Sequence, residues 1–265
     1  MNIYLHELRA YRKFTITWTC SLIAVIVLFL SLFPSVAKDF AEFSSILEGY
    51  PEGVRKALGI QIETFGTLLG FYMYIFLYIT LCGAIQAMVL GTSILSKEMR
   101  EKTADFLLTK PVTRTKIVTS KLLAAVTSLV ITCVIYIVAA YLMALQVKTV
   151  DFDVSTFLLI SFTLLFIQLM FLAIGFIISV IFSKIKAVLS VSLGTVFAFF
   201  VIGMIVAVDG EGAKRYLSPF KYFNGTYMLE HASYEVSYVI AAIAIIVVSI
   251  AASYFIYTKK DVHAV

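Results

Sequence analysis

Six stretches of this sequence, 14–33, 65–95, 122–145, 155–182, 187–208 and 238–257, contain no Asp, Glu, Lys, Arg or His. Each is long enough to cross the roughly 30 Å hydrocarbon core of a bilayer, which takes about 20 helical residues. Inside hydrocarbon every backbone N–H and C=O must be bonded within the protein, so only helices or closed barrels can span. Uninterrupted apolarity lacks the in–out alternation of an outer-membrane barrel strand. The fold class follows as an all-α integral membrane protein with six transmembrane helices. Composition agrees: 61% of the 265 residues are apolar and 14% are charged, too few to solvate a soluble domain of this length. The stretches at 65–95 and 155–182 exceed one span and are expected to tilt or to project beyond the hydrocarbon.

Fourteen of the 21 Lys and Arg lie in the N-terminal segment, 96–121, 183–186 and the C-terminal segment; the other seven lie in 34–64, 146–154 and 209–237. The positive-inside rule makes the first set cytoplasmic, with both termini inside. The net charge of +5 is thereby explained by topology, and no nucleic-acid partner is expected. The first apolar run is too long for a signal-peptide core and reads as a first span.

The connections carry structure. Residues 1–13 place Tyr4, Leu8 and Tyr11 at helical spacing, which predicts a short amphipathic helix in the headgroup layer. In the first external loop Phe40, Phe43 and Leu47 share a helical face, and Gly49 with Pro51 ends that helix. The last external loop is rich in aromatics (Tyr216, Phe220, Tyr222, Phe223, Tyr227), which predicts short interfacial or partly re-entrant helices. Asn224-Gly225-Thr226 reads as a turn rather than a glycosylation site.

Energy-coupling chemistry is absent from the spans. Proton- or cation-coupled carriers place ionisable groups inside the bundle, and here Gln86, Gln168, Thr80, Thr132 and Thr163 are the most polar candidates. Helix–helix hydrogen bonding accounts for each. Cys20, Cys82 and Cys133 fall in apolar runs without CxxC spacing and read as small buried hydrophobes. His6, His231 and His263 are scattered and read as surface residues. No phosphate-binding loop, buried carboxylate pair or metal cluster is evident, so no catalytic, cofactor-binding or metal-ligating residue is assigned. Uphill movement of a solute would need free energy from another polypeptide.

The segment 96–121, SKEMREKTADFLLTKPVTRTKIVTSK, is the one sizeable surface where such a partner could act. Ser96 can cap a helix with Glu98 and Glu101 in its first turns. Met99, Phe106 and Leu107 form an apolar stripe among charges, and Pro111 ends the helix near Thr109. A second helix is expected to start at Thr113 and run into the third span.

This segment resembles the cytoplasmic signature of ABC-2 type permeases at Glu98, Thr103, Leu107, Leu108, Pro111, Val112, Thr113, Arg114 and Lys121, with Lys102 where the family has Gly. Pro51 with Lys56–Gly59, Leu217–Phe223 and Lys260-Asp261-Val262 resemble further family motifs, so the likeness spans the chain. It implies a single transmembrane domain over 1–265, acting as the non-catalytic permease subunit of an ATP-driven exporter. Two permeases, identical or homologous, would pair with two ABC ATP-binding subunits that carry ATP and Mg. The stretch 96–109 would be the coupling helix, with Glu98, Met99, Glu101, Thr103, Phe106, Leu107, Leu108, Pro111 and Arg114 facing the ATPase. The resemblance further implies a bacterial-type cell membrane. Two other readings are a non-transporting scaffold or sensor, and a stand-alone facilitator or secondary carrier.

Overall fold

A computed structural model of the chain describes residues 3–100, 112–182, 185, 187–209 and 212–259. Among these residues six helices are long and apolar enough to cross a membrane: α2 (Arg12–Lys38), α6 (Leu68–Arg100), α7 (Arg114–Val147), α8 (Val154–Ile181), α9 (Val188–Asp209) and α11 (Val236–Lys259). A short α1 (Ile3–Ala10) precedes them. α3 (Phe40–Glu48), α4 (Glu52–Leu58) and α5 (Ile62–Phe65) fill the first long connection, and α10 (Gly225–His231) lies in the last. The six sequence-predicted spans all fall on these helices. α2 differs in running on through Pro34 to Lys38, where the sequence reading stopped at Phe33. A proline costs a transmembrane helix one backbone bond, which neighbouring groups in the bundle can replace.

α6 and α8 form the centre. In their most apolar windows 56% and 61% of residues are buried, against 28% in α2, 22% in α9 and 11% in α11. Their backbones approach closely because glycine removes the side chain at the crossing. A Cβ on Gly91 would sit 2.5 Å from the Leu172 carbonyl oxygen, and one on Gly175 would sit 2.8 Å from the Met88 carbonyl oxygen. Ala84, Ala87 and Ala173 line the same fully buried contact. In lipid, association rests on such van der Waals contact rather than on expulsion of water.

Two apolar clusters stack along the bundle. One joins Leu22–Val36 side chains of α2 to Phe71, Tyr72 and Ile79 of α6, Tyr136 of α7 and Phe157 of α8. The other joins Met88 and Ile94 of α6, Leu129 of α7 and Phe171 and Phe176 of α8. A thin polar layer separates them. The Thr19 and Thr132 hydroxyls lie 2.9 Å apart, Gln86 Nε2 donates to Thr132 Oγ1 at 3.1 Å, and Gln168 Nε2 donates to Gln86 Oε1 at 3.0 Å. Four helices are thus stitched at one depth by polar residues that the sequence marks as helix–helix bonds. Thr80 and Thr163 bond carbonyls of their own helices, at Leu77 and Leu159.

The two ends of the bundle differ. At one end, the hairpin end, the chain from Ala213 to Lys221 makes two 3₁₀ turns, Ala213–Leu217 and Pro219–Lys221. Its tip dips to mid-depth. Ser218 Oγ donates to the Phe199 carbonyl at 2.7 Å, about halfway along α9, with the Cβ-less Gly203 beside it. Phe220 packs on Phe171 of α8 and Phe200 of α9. The expected re-entrant element is present. Asn224 caps α10, its Oδ1 accepting from the Tyr227 amide at 3.2 Å, so it is a turn residue as read. α3 ends at Gly49 as predicted, with Phe40 against Gly66 and Phe43 exposed. Cys133 is buried and Cys82 partly so, but Cys20 faces outward from α2, which corrects its reading as a buried residue. Helical periodicity alternates buried Thr19 and Leu22 with the outward Cys20 and Ser21.

Candidate functional site

The opposite end, the basic end, is where α6 stops and α7 starts. Thr113 opens α7 as expected: its backbone is extended and its Oγ1 accepts from the Lys116 amide at 3.3 Å. Such a cap satisfies one of the donors that a helix start leaves unbonded. Two turns further on, the helical period turns Lys121 into the bundle, where its side chain is 0% exposed. The ammonium donates to the Ile94 carbonyl of α6 at 2.6 Å and to Glu7 Oε1 of α1 at 3.1 Å. Glu7 is itself 5% exposed, and its Oε2 has no hydrogen-bond partner. Taking two charges out of water is costly, and their attraction offsets this only where further bonds complete the pair. Here one carboxylate oxygen is left over, and the Lys121 ammonium joins α1, α6 and α7 by charge-assisted bonds.

Further bonds surround it. Tyr4 and Thr127 hydroxyls lie 3.2 Å apart, and Tyr11 and Ser93 hydroxyls 3.0 Å apart. Arg114 Nη1 donates to the Thr258 carbonyl at 3.4 Å, and the Tyr254 hydroxyl donates to Thr119 at 2.8 Å, bringing α11 to the same place. The apolar stripe of α1 therefore faces protein. This sharpens the sequence expectation: α1 is amphipathic, but Tyr4 and Tyr11 are held by α7 and α6 rather than by the headgroup layer. At Tyr11 the backbone leaves helical geometry (φ −91°, ψ 2°). Thr19 meets Thr132, Glu7 meets Lys121, and Tyr4 then meets Thr127, so α1 crosses α7 instead of continuing along it.

Of the nine predicted coupling residues, Glu98, Met99 and Arg114 are described, and these three lie at this end. Arg114 is the first residue of α7. Glu98 and Met99 lie in the last turn of α6, described in backbone alone. Glu101, Thr103, Phe106, Leu107, Leu108 and Pro111 lie outside the described residues. One expectation is corrected. Ser96 does not start a helix, because α6 runs unbroken from Leu68 to Arg100 and Ser96 Oγ donates to the Thr92 carbonyl at 2.7 Å. A serine inside a helix satisfies its hydroxyl on the carbonyl four residues back, and the cap residue preference has no force there. The turn that would separate a coupling helix from the second span is thus not at Ser96.

Sequence reasoning missed both buried ion pairs. The second lies at the hairpin end. Arg215 makes a two-pronged contact with Glu235, Nη2 to Oε1 at 2.7 Å and Nη1 to Oε2 at 3.1 Å. Its Nε donates to the Lys221 carbonyl at 3.0 Å, and its guanidinium lies 4.0 Å from the Tyr238 ring centre. Two parallel N–H···O bonds to one carboxylate are a contact that arginine's planar fork makes and lysine cannot, and the ring face adds a cation–π attraction. Burial pushes the nearby Tyr222 phenol above its usual range, and does the same to Tyr234. Hydropathy hides such pairs because each charge sits just outside an apolar run and its partner is far away in sequence. Among the described residues no group of three His, Cys, Asp or Glu is placed to hold a metal.

The bundle thus has a polar joint at one end and a two-pronged clasp at the other, and the apolar stretches of its six long helices carry no Asp, Glu, Lys, Arg or His. Comparison with curated proteins gives no match. The profile of the ABC-2 family transporter proteins matches residues 1–262, essentially the whole chain, and the chain belongs to that family.

Proposed function

We propose that this chain is the permease subunit of an ATP-driven exporter in a bacterial-type cell membrane. As an ABC-2 permease it works with an ABC ATP-binding subunit; in this reading two such subunits bind ATP and Mg and two permeases, identical or homologous, form the pathway. The chain itself carries out no catalysis. Both termini and the basic end face the cytoplasm, and the chain is one transmembrane domain.

The observation that supports this reading best is the joint at the basic end. The segment 101–111 follows α6 a little beyond Ile94 and precedes α7 a little before Lys121, and Lys121 is bonded to both Ile94 and Glu7. A push on the segment is therefore delivered at once to α1, α6 and α7. A partner that binds the segment differently in its ATP-bound and ATP-free states would shift the equilibrium between two arrangements of the bundle, since only differential contacts can do so. Glu98, Met99, Glu101, Thr103, Phe106, Leu107, Leu108, Pro111 and Arg114 would make those contacts.

The test is co-purification. Phe106→Ala with Leu107→Ala is expected to weaken recovery of the ATPase subunit while membrane insertion is unchanged; undiminished recovery would overturn the coupling assignment. A cysteine at Lys110 is expected to resist labelling by an impermeant reagent added outside intact cells.

A further inference from the structure

Burying Glu7 has a second effect, on the outer face of α1 and the start of α2. Within the described residues 3–16 Glu7 is the only carboxylate, and it points inward to Lys121. Arg9, Arg12 and Lys13 are all exposed. None of the three side chains makes an ion pair among the described residues. Arg9 lies in the last turn of α1 and Arg12 and Lys13 open α2, so the three flank the bend at Tyr11. Exposed apolar residues lie about one turn away on each arm, Leu5 on α1 at 44% and Ile16 on α2 at 61%. Leu123, two residues past the buried Lys121, is exposed at 53%.

Three unpaired cations flanked by outward apolar side chains, at the mouth of the first span, match one ligand chemistry. An anionic phospholipid offers phosphate oxygens at headgroup depth and acyl chains immediately below. An acidic protein surface would match the cations but not the outward Leu5 and Ile16, which would then face water. We propose that Arg9, Arg12 and Lys13 seat the phosphate of an anionic phospholipid, with Leu5 and Ile16 against its acyl chains. The bound lipid braces the bend, and through Glu7 it bears on the Lys121 joint. This seat depends on the membrane embedding of the chain and not on the ATPase coupling proposed above.

The experiment compares the full-length chain in nanodiscs of phosphatidylcholine and of phosphatidylcholine with phosphatidylglycerol, counting retained lipids by mass spectrometry. Wild type is expected to enrich phosphatidylglycerol. Each basic residue beside an anionic surface contributes a factor of about five, so Arg9→Gln, Arg12→Gln, Lys13→Gln together are expected to weaken retention roughly 100-fold. High salt should shrink the difference, and Lys214→Gln at the other end should leave retention unchanged. Arg9→Lys with Arg12→Lys keeps the charge and should keep most of the binding. If the triple variant fails to fold, the three single Gln variants should each show the roughly five-fold loss. Equal enrichment by wild type and the Gln variants would overturn the proposal. So would a triple variant that keeps its phosphatidylglycerol but loses the ATPase subunit, because the cations would then serve a protein partner.

Discussion

The two buried ion pairs solve the same problem in different ways. Arg215 at the hairpin end is held by two carboxylate oxygens, two backbone carbonyls and an aromatic face. It ties both limbs of the re-entrant hairpin to the start of α11, and Ser218 ties the tip to α9. At the basic end the Lys121 ammonium binds single oxygens, among them Glu7 Oε1 and the Ile94 carbonyl, with no two-pronged bond to the carboxylate, and Glu7 Oε2 has no hydrogen-bond partner. A contact fixed from five directions resists rearrangement, because any movement breaks several bonds at once. Lysine's flexible four-carbon stem can re-aim its ammonium over a wider range than a planar guanidinium held by paired bonds. The difference predicts rigidity at the hairpin end and movement at the basic end.

The largest effects should come from breaking either pair. Arg215→Met leaves the partly buried Glu235 without its partner, at a cost of about 3 kcal/mol. Denaturant titration in detergent micelles should register it, with Arg215→Lys recovering only part because lysine cannot supply the paired bonds. At the joint, Glu7→Gln leaves the fully buried Lys121 ammonium without its carboxylate and should cost a comparable amount, about 3–5 kcal/mol. The same substitution should reduce ATP-dependent activity of the assembled transporter by a larger factor than Arg215→Lys does. A clasp variant that uncouples more strongly than the joint variant would reverse the assignment.

The helix starts at the two ends extend the contrast. Thr113→Val removes the cap of α7 and should cost about 1 kcal/mol, read by the same titration. Asp153 caps α8 at the hairpin end, accepting from the Thr156 hydroxyl at 2.5 Å and amide at 2.9 Å. Those bonds, the hydroxyl first, hold its carboxyl below the usual carboxylate range. The folded value is therefore depressed, so the cap is at full strength above the unfolded value of about 3.9 and is lost as pH falls through the folded one. This is the smallest effect: stability should sag slightly on acidification, and Asp153→Asn should remove that slope while keeping the cap. The Thr113 cap should show no such pH dependence.

Much of this was legible from the chain. Six apolar runs without a charge could only be spanning helices, and the start of α7 at Thr113 followed from a capping residue before a periodic pattern. Aromatics among polar residues correctly marked the re-entrant hairpin. The joint was not legible, because Glu7 and Lys121 lie 114 positions apart and each looks like an ordinary flanking charge. Gly91 and Gly175 were equally silent, since one glycine in an apolar run carries no sign of the backbone facing it. Ser96 misled for a physical reason: a serine is a cap only where the helix has already ended.

The central claim is that the basic end moves while the hairpin end holds, and distances between spin labels address it directly. One pair belongs on exposed His6 and Leu123, spanning the joint, and another on exposed Lys214 and Val236, spanning the clasp. Cys20, Cys82 and Cys133 would first be replaced. In the assembly with its ATPase, going from the nucleotide-free to the ATP-trapped state should shift the first distance and leave the second unchanged. A shift across the clasp with a constant distance across the joint would contradict the account.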